Sequence, residues 1–240
     1  EAITKIAEYV EPCSTSKWLA QIDAWKNEHP LTMRQNGVMG PLDIFNAINE
    51  QFDDAIIVTD VGQHQMLTSQ YVDITENRQI IMSGGLGTMG YGLGAALGAK
   101  TARPDKTVIN IAGDGCFRMN MNELATASRY NIPVIEVVIN NHVLGMVRQW
   151  QTLFYGGRYS ATVLNDKVDF VKVAEALGCK GIRVTKKEEV GPALEKAIAY
   201  GGPVLLDCQI DCDDKVFPMV PAGAAIEDAF DEDDLKKKEM

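Results

Sequence analysis

The chain has 240 residues, of which 46% are hydrophobic, and its formal net charge at pH 7 is −10. This length and composition suit a globular protein with a sizeable core, and we expect one domain with appendages rather than two small domains. The negative charge argues against a nucleic-acid-binding protein. An anionic ligand would therefore have to be held by a metal ion, backbone N–H groups and local dipoles.

The cysteines and the apolar segments bear on the compartment. The five cysteines are scattered without a disulfide framework, so we expect reduced thiols and a cytoplasmic protein. Cys208 and Cys212 could form half of a zinc site, but no second pair of ligands or suitable histidine accompanies them. No secretory or transit signal is visible. The uncharged segment 80–99 is rich in glycine, which favours a loop entering a buried helix over a membrane span.

Residues 1–30 read as the end of a preceding domain and a connector helix. Apolar residues recur at helical spacing over 2–10 and again over 17–26. Because Glu1 already lies within such a pattern, we expect the chain to be part of a longer protein or a processed chain. Residues 31–226 then carry the pattern of one α/β domain.

The first polar turn of that domain follows a helix over 41–52 and a short buried strand over 55–59. The run 60–64 (Asp-Val-Gly-Gln-His) opens a helix that continues to about Tyr71. A strand, a glycine turn and a helix N-terminus together make an anion site, because free backbone N–H groups point outward there. Gln63 and His64 can add side-chain donors. Taken alone, a histidine at a helix start is more often a surface or capping residue.

A glycine-rich loop follows at 83–94. Met89 is one bulky, flexible side chain in a backbone otherwise almost without side chains, and by itself it is more typical of core filling than of a ligand contact. A nicotinamide-dinucleotide site does not fit. The loop does not follow a long hydrophobic strand, and no acidic residue closes a second strand about twenty residues on.

Two further polar turns end neighbouring predicted strands, 108–112 and 134–139, which flank a helix over 120–130. The first turn is Gly113-Asp114-Gly115 and the second is Asn140-Asn141. Carboxylate and amide oxygens suit Mg²⁺, and the glycines let the backbone approach a phosphate closely. The pattern predicts a metal-bridged diphosphate at the carboxyl edge of a sheet. The alternative is an ordinary turn and a helix cap.

Helical spacing also joins Met146, Trp150 and Phe154 on one face of the next helix. The face is either an ordinary core stripe or the wall of a substrate pocket beside the cofactor turn. Helices over 170–177 and 187–200 then alternate with strands over 181–184 and 203–208. This alternation predicts a doubly wound, mostly parallel sheet with helices on both faces. The charged residues 227–240 are predicted to form a solvated tail.

The pairing of Gly-Asp-Gly with Asn-Asn resembles the thiamine diphosphate motif. Four further runs resemble the C-terminal domain of acetolactate synthase (acetohydroxyacid synthase): 62–66, 84–92, 146–155 and 218–221. The similarity covers nearly the whole chain. It implies a thiamine diphosphate-binding α/β fold, with thiamine diphosphate and Mg²⁺ as cofactors and FAD in the complete enzyme.

The resemblance also implies residue roles. Mg²⁺ would be held by the side chains of Asp114 and Asn141 and the carbonyl oxygen of Val143. Met89 would support the bent form of the cofactor, and Met146 and Trp150 would contact the second 2-keto acid, with Trp150 favouring 2-ketobutyrate. Cys116 stands where Ser or Ala is common in the family. The expected cofactor contacts are Val61, Gly62, Gln63, His64, Gly87, Met89, Gly113, Gly115, Cys116 and Met146.

The implied reaction is decarboxylation of pyruvate and transfer of its hydroxyethyl group to pyruvate or 2-ketobutyrate, in branched-chain amino acid biosynthesis. The implied partners are a pyrimidine-binding domain, which carries the activating glutamate, an FAD-binding domain, further copies in a homodimer or tetramer, and a regulatory subunit. We expect the chain by itself to be inactive. The alternatives are a thiamine diphosphate enzyme of the pyruvate oxidase or glyoxylate carboligase type, or a non-catalytic assembly module.

Overall fold

A computed structural model describes residues 1–11, 13–33, 37–75, 79–164 and 167–239. For residues 236–239 it describes the backbone only. Contacts divide the chain into two units, residues 1–34 and 35–240. The first contains helices α1 (Ala2–Ala7) and α2 (Ser16–Glu28). The rings of Trp18 and Trp25, both on α2, meet edge to face. None of the helices described is both long and apolar enough to cross a membrane.

The second unit is built on a six-stranded sheet in which every pair of neighbours is parallel. The strand order is β2-β1-β3-β4-β6-β5. This architecture confirms the predicted fold class. The strands are β1 (Ile56–Thr59), β2 (Gln79–Met82), β3 (Val108–Gly113), β4 (Val134–Asn140), β5 (Lys180–Val184) and β6 (Val204–Gln209).

Helices cover both faces of this sheet. One layer packs α5, α6, α7 and α9 on the sheet, and the other contains α3, α4 and α10. The bounds are α3 (Pro41–Gln51), α4 (Gln63–Tyr71), α5 (Tyr91–Ala102), α6 (Asp114–Asn120), α7 (Leu124–Arg129), α8 (Gly145–Phe154), α9 (Phe170–Ala176), α10 (Lys187–Tyr200) and α11 (Glu232–Glu239), with 3-10 turns at Met121–Glu123 and Ile226–Asp228.

The core explains why the central strands are apolar without a polar alternation. Successive side chains of a strand point to opposite faces, so Val108 and Ala112 join the cluster under α5 while Ile109 and Ile111 point to the other layer. All of these side chains are buried. A strand covered on both faces therefore reads as a nearly continuous apolar run, broken in β3 at the buried Asn110, and such a run is the signal of a parallel sheet.

Two local elements differ from the sequence prediction. Strand β2 was not predicted, because it is short, lies at the sheet edge and is only partly covered. The helix predicted over 120–130 begins much earlier, since α6 starts at Asp114 directly after β3 ends at Gly113. An aspartate in the first turn favours that start, because its charge opposes the positive end of the helix dipole. Asp114 therefore sits on a helix N-terminus rather than in a free turn.

The C-terminal segment is anchored at one point. Phe230 is 8% exposed and forms an antiparallel bridge with Met219, with both N–H to carbonyl distances at 2.9 Å. Its ring also faces those of Phe154 and Phe217. The charge pattern of 227–240 predicted a solvated tail throughout. Phe230 departs from that expectation because an aromatic side chain gains more by packing than its acidic neighbours do.

Candidate functional site

A cavity of about 250 Å³ opens at the carboxyl ends of β1, β3 and β4. It lies between β1 and β3, where the chain stops adding strands on one side of β1 and begins adding them on the other. Such a switch in strand order is the usual ligand site of an open parallel sheet. The residues predicted to contact the cofactor or metal all line it: Val61, Gly62, Gln63, His64, Gly87, Met89, Gly113, Asp114, Gly115, Cys116, Asn141, Val143 and Met146.

The turn after β1 forms the first wall. Gly62 has φ +149°, a conformation that suits glycine, and α4 begins at the next residue. His64 is buried in the first turn of α4, and Nε2 has no hydrogen-bond partner among the described residues. Burial lowers the pKa of His64 to about 4, although Asp60 opposes the shift. A neutral imidazole and free helix N–H groups therefore face the cavity.

Gln63 is held differently from the sequence prediction. Its side-chain Nε2 donates to Oε1 of Gln149 and to the carbonyl oxygen of Asp214, both at 2.9 Å. Oε1 of Gln149 also accepts from the backbone N–H of Val216. Both amide hydrogens of Gln63 are thus used inside the protein in this structure, whereas the sequence predicts that the side chain donates to a ligand. What Gln63 offers a ligand is its backbone at the start of α4.

The turn after β3 is packed so tightly that side chains would fill it. A Cβ at Gly113 would lie 2.9 Å from Nδ1 of His64, and one at Gly115 would lie 2.7 Å from Cδ2 of Leu144. The missing side chains leave backbone N–H groups of the α6 N-terminus open to the cavity. This arrangement is a cradle for an anion.

Asp114 is 1% exposed, and its Oδ2 has no hydrogen-bond partner among the residues described. Burial raises the pKa of this carboxyl to about 6, while Arg118 and the N–H of Gly115 draw it down. A buried carboxylate oxygen without a partner is costly unless a cation binds it. Asp114 therefore has the character of a metal ligand.

The structure separates the two asparagines that end β4. Asn140 is tied into the protein, because its Nδ2 donates to Asp207 at 2.8 Å on the neighbouring strand β6. Asn141 lines the cavity, and its Oδ1 accepts the N–H of Val143 at 3.2 Å. His142 between Asn141 and Val143 has φ +59°, an unusual value for a histidine. The backbone is thus bent sharply where Asn141 and Val143 meet the cavity.

Cys116 and Met89 are two further predicted cofactor residues that line the cavity. The Cys116 thiol donates to the carbonyl oxygen of Val61 at 2.9 Å, and burial raises its pKa to about 12. The thiol therefore stays protonated and joins α6 to the turn after β1. Met89 projects from the glycine-rich loop, and its Cε lies 3.8 Å from the position of a Cβ on Gly115. Apolar and polar walls thus meet in one cavity.

The predicted substrate residues are divided. Met146, in the first turn of α8, lines the cavity. Trp150 lies one turn further along and is not among the lining residues, and its ring packs against Phe154 with centroids 4.7 Å apart. The predicted shared face of α8 therefore begins at the cavity and continues onto an aromatic cluster beyond it.

Other lining residues were not predicted. Leu144 and Gly145 lie three and four residues after Asn141, and a side chain on Gly145 would collide with Oε1 of Gln63. Asp214 comes from beyond β6, and burial raises the pKa of its carboxyl to about 6. The glycine next to the second turn was a usable signal for Gly145. Asp214 carried none, because the sequence does not reveal that β6 inserts beside β4.

Cys208 and Cys212, the two cysteines considered as half of a zinc site, lie in different surroundings. Cys208 is fully buried on β6, where burial raises the pKa of its thiol. Cys212 instead lies near Asp211 and Asp213, two exposed carboxylates. All five cysteines are free. The donor set that fits a metal is the oxygen pair of Asp114 and Asn141, which suits a hard cation such as Mg²⁺.

A family model agrees with this site. The model for the thiamine pyrophosphate enzyme, C-terminal TPP binding domain, matches residues 60–208. The match begins at the aspartate after β1 and ends within β6, so it covers every strand end around the cavity.

Curated relatives are large subunits of acetolactate synthase. The chain is 44% identical over 208 residues to the large subunit from Pyropia yezoensis, which covers 86% of this chain and 35% of that protein. It is 44% identical over 202 residues to the isozyme 2 large subunit from Escherichia coli, covering 84% and 36%. The mitochondrial catalytic subunit from Saccharomyces cerevisiae is 42% identical over 221 residues, covering 89% and 32%. These identities confirm the predicted resemblance.

A solved structure carries the same fold. The thiamine diphosphate-dependent 4-hydroxybenzoylformate decarboxylase from Rhodococcus jostii superposes with a TM-score of 0.70 at 27% sequence identity. The superposition covers 77% of this chain and 35% of that enzyme. The chain thus spans about a third of the length of the relatives that it matches.

Proposed function

Since the chain belongs to the family of thiamine pyrophosphate enzymes, as their C-terminal TPP-binding domain, we propose that it is the cofactor-binding part of an acetolactate synthase. The 44% identity to acetolactate synthase large subunits supports that activity. One structural observation carries the proposal. The buried Asp114 carboxylate has an oxygen without a partner in a cavity lined also by Asn141, Met89 and Met146.

Mg²⁺ would be held by Asp114, Asn141 and the carbonyl oxygen of Val143. Binding would supply the missing partner of Asp114 and offset the cost of its burial. The metal would neutralise the diphosphate, whose remaining oxygens would meet backbone N–H groups at the N-termini of α4 and α6. Gly62, His64, Gly115 and Cys116 would bind there, the last through its backbone.

The cofactor, when bound, supplies the carbon nucleophile and electron sink that decarboxylation of a 2-keto acid needs. The protein orients it. Met89 would press on one side of the ring system and hold its bent form, and the apolar lining would exclude water. Met146 would contact the second 2-keto acid, pyruvate or 2-ketobutyrate, and Trp150, one turn further along α8, would favour 2-ketobutyrate. The apolar wall on α8 suits such a short carbon chain.

The remaining parts of the enzyme would come from outside this chain. The proposed partners are a pyrimidine-binding domain that carries the activating glutamate, an FAD-binding domain, a second copy in a dimer or tetramer, and a regulatory subunit. The chain spans about a third of its relatives, which supports such partners. We therefore expect no acetolactate from pyruvate with this chain alone, and its formation would contradict this part of the proposal.

The test is calorimetric titration of the 240-residue chain with thiamine diphosphate, with and without Mg²⁺. Asp114→Ala is expected to weaken the Mg²⁺-dependent affinity about 100-fold, because a metal ligand is lost. Asp105→Asn is the matched control. It removes the same charge from an exposed site before β3, at the opposite edge of the sheet, and is expected to leave the affinity unchanged.

Two results would contradict the proposed site. Binding by Asp114→Ala equal to that of the wild type would remove the metal role of Asp114. No binding by the wild type would favour the alternative of a non-catalytic module. A third result would indicate another type of thiamine diphosphate enzyme. In that case the chain binds the cofactor, but the reconstituted enzyme decarboxylates pyruvate without joining it to a second 2-keto acid.

A further inference from the structure

Gly90, which follows Met89 in the glycine-rich loop, is held at both of its backbone polar atoms. The N–H of Gly90 donates to Oδ1 of Asp60 at 2.8 Å, and the carbonyl oxygen of Gly90 accepts from Nδ2 of Asn120 at 2.5 Å. The second carboxylate oxygen of Asp60 accepts the N–H of Gly92 at 3.1 Å. Asp60 is 1% exposed, so the two hydrogen bonds that it accepts from Gly90 and Gly92 are shielded from water.

The backbone at Gly90 and Gly92 is packed closely against its neighbours. Gly90 has φ +89°, and a Cβ there would lie 2.9 Å from Cβ of Met119 and 3.1 Å from Nδ2 of Asn120. A Cβ at Gly92 would lie 2.5 Å from Oδ1 of Asn110 on β3. The start of α5 is therefore pressed against both α6 and β3. The residue just before it, Met89, enters the cavity from a rigid base.

The two holding side chains come from the elements that carry the diphosphate and metal residues. Asp60 directly precedes the turn 61–64, and Asn120 ends α6, whose first residue is Asp114. Asn120 holds Gly90 from the far end of α6, whereas Asp60 also lies close enough to Cys116 and His64 to raise the pKa of both. The structure therefore couples the position of Met89 to the anion site.

This inference rests on the proposed function. We propose that Asp60 and Asn120 are positioning residues, which hold the backbone N–H and carbonyl oxygen of Gly90 and thereby set Met89 against the ring part of thiamine diphosphate. Neither side chain lines the cavity. The alternative is a purely structural role, since a buried carboxylate at a helix start commonly stabilises a fold. The two roles differ in what they do to a ligand that lacks the thiamine rings.

The test variant is Asn120→Asp, which keeps the size of the side chain and replaces the N–H donor by a carboxylate oxygen. Asn120 is exposed, so this change is compatible with folding. The matched control is Asn122→Asp, which adds the same charge two residues further on. Asn122 is also exposed, and its Nδ2 donates to Glu123 rather than to the glycine-rich loop.

The 240-residue chain is titrated by calorimetry with thiamine diphosphate and separately with inorganic diphosphate, both with Mg²⁺. Asn120→Asp is expected to weaken thiamine diphosphate binding about fivefold to tenfold relative to inorganic diphosphate, the effect of one lost hydrogen bond to a fixed peptide. Asn122→Asp is expected to leave this ratio unchanged. In a Met89→Ala background, Asn120→Asp should cause no further change in the ratio, because the side chain being positioned is gone.

Asp60→Asn provides a second test that does not depend on a ligand. Its single amide oxygen cannot accept from the N–H groups of both Gly90 and Gly92, so hydrogen exchange at one of these two amides or at both is expected to accelerate at least tenfold in the ligand-free chain. The variant also removes a negative charge near His64, which affects both anions alike. The ratio of the two affinities is therefore the quantity compared.

Three outcomes overturn the inference. Asn120→Asp and Asp60→Asn could bind both ligands with the wild-type ratio, even if both affinities fall together, which would make the role purely structural. Met89→Ala could bind thiamine diphosphate as the wild type does. The Gly90 and Gly92 amides could both exchange in Asp60→Asn at their wild-type rates. A wild-type chain that binds neither ligand would instead overturn the proposed function itself, so the two failures are distinguishable.

Discussion

Two aspartates at neighbouring strand ends have opposite environments. Asp60 follows β1 and Asp114 follows β3, the strands are adjacent and parallel, and each side chain is 1% exposed. Asp60 accepts hydrogen bonds from three backbone N–H groups, those of Val61, Gly90 and Gly92. Asp114 retains an oxygen without a partner among the described residues.

The difference teaches how a structural carboxylate can be told from a ligand. Burial costs both groups the same loss of water, but Asp60 recovers that loss inside the protein whereas Asp114 does not. The residue type, the exposure and the position after a strand are alike. Hydrogen-bond saturation distinguishes them, and it leaves Asp114 to be completed by a cation.

The largest expected effect on stability is that of Asp60→Ala. A small effect would contradict the difference drawn between Asp60 and Asp114. The variant leaves the buried N–H groups of Gly90 and Gly92 without their acceptor. We expect the free energy of unfolding of residues 35–240 to fall by about 3 kcal/mol. Urea denaturation of the ligand-free chain measures it. Asp114→Ala in the same experiment at pH 7 is expected to cause no loss of stability, because it removes a buried carboxylate oxygen without a partner among the described residues, and equal losses for the two variants would contradict the comparison.

A second prediction concerns pH. Burial raises the pKa of Asp114 from 3.8 to about 6, so the folded chain holds this proton more tightly than the unfolded chain. The associated stability is complete below about pH 4 and is lost as the pH rises to about 6. We therefore expect Asp114→Asn to gain about 2 kcal/mol relative to the wild type between pH 4 and pH 7. A difference that stays constant over this range in urea denaturation would count against the burial of an unpartnered carboxyl.

The smallest effect is expected for Trp150→Ala, because Trp150 is not among the residues that line the cavity. The affinity for thiamine diphosphate with Mg²⁺ should change less than about twofold, well below the effect at Asp114. In the complete enzyme, the same variant should lower the use of 2-ketobutyrate relative to pyruvate. Calorimetry and a competition assay measure the two effects. A large loss of cofactor affinity would place Trp150 with the cofactor residues instead.

Much of the site was predictable because its signals are local. Each anion turn is a strand, a glycine and a helix start within a few residues, so Gly62, His64, Asp114 and Asn141 could be identified from short patterns. The central strands were identified because burial on both faces makes them continuous apolar runs. The short edge strand β2 lacked that signal, since it is only partly covered.

The other contacts join residues that are distant in sequence. Nothing near Gln63 shows that Gln149 and Asp214 use both of its amide hydrogens. The packing of Phe230 in a charged segment is equally invisible, because it depends on Met219, Phe154 and Phe217. These facts require the order of the strands, which sets which distant side chains meet.

The sequence by itself determined the alternation of strands and helices and the chemistry at each strand end, because periodicity and turn residues act over a few positions. Only the tertiary structure decided which polar groups are used inside the protein and which remain for a ligand. Asp60 and Asp114 look alike as letters in a sequence. They differ because hydrogen bonds form between groups that the fold brings together, and those groups lie on other elements of the chain.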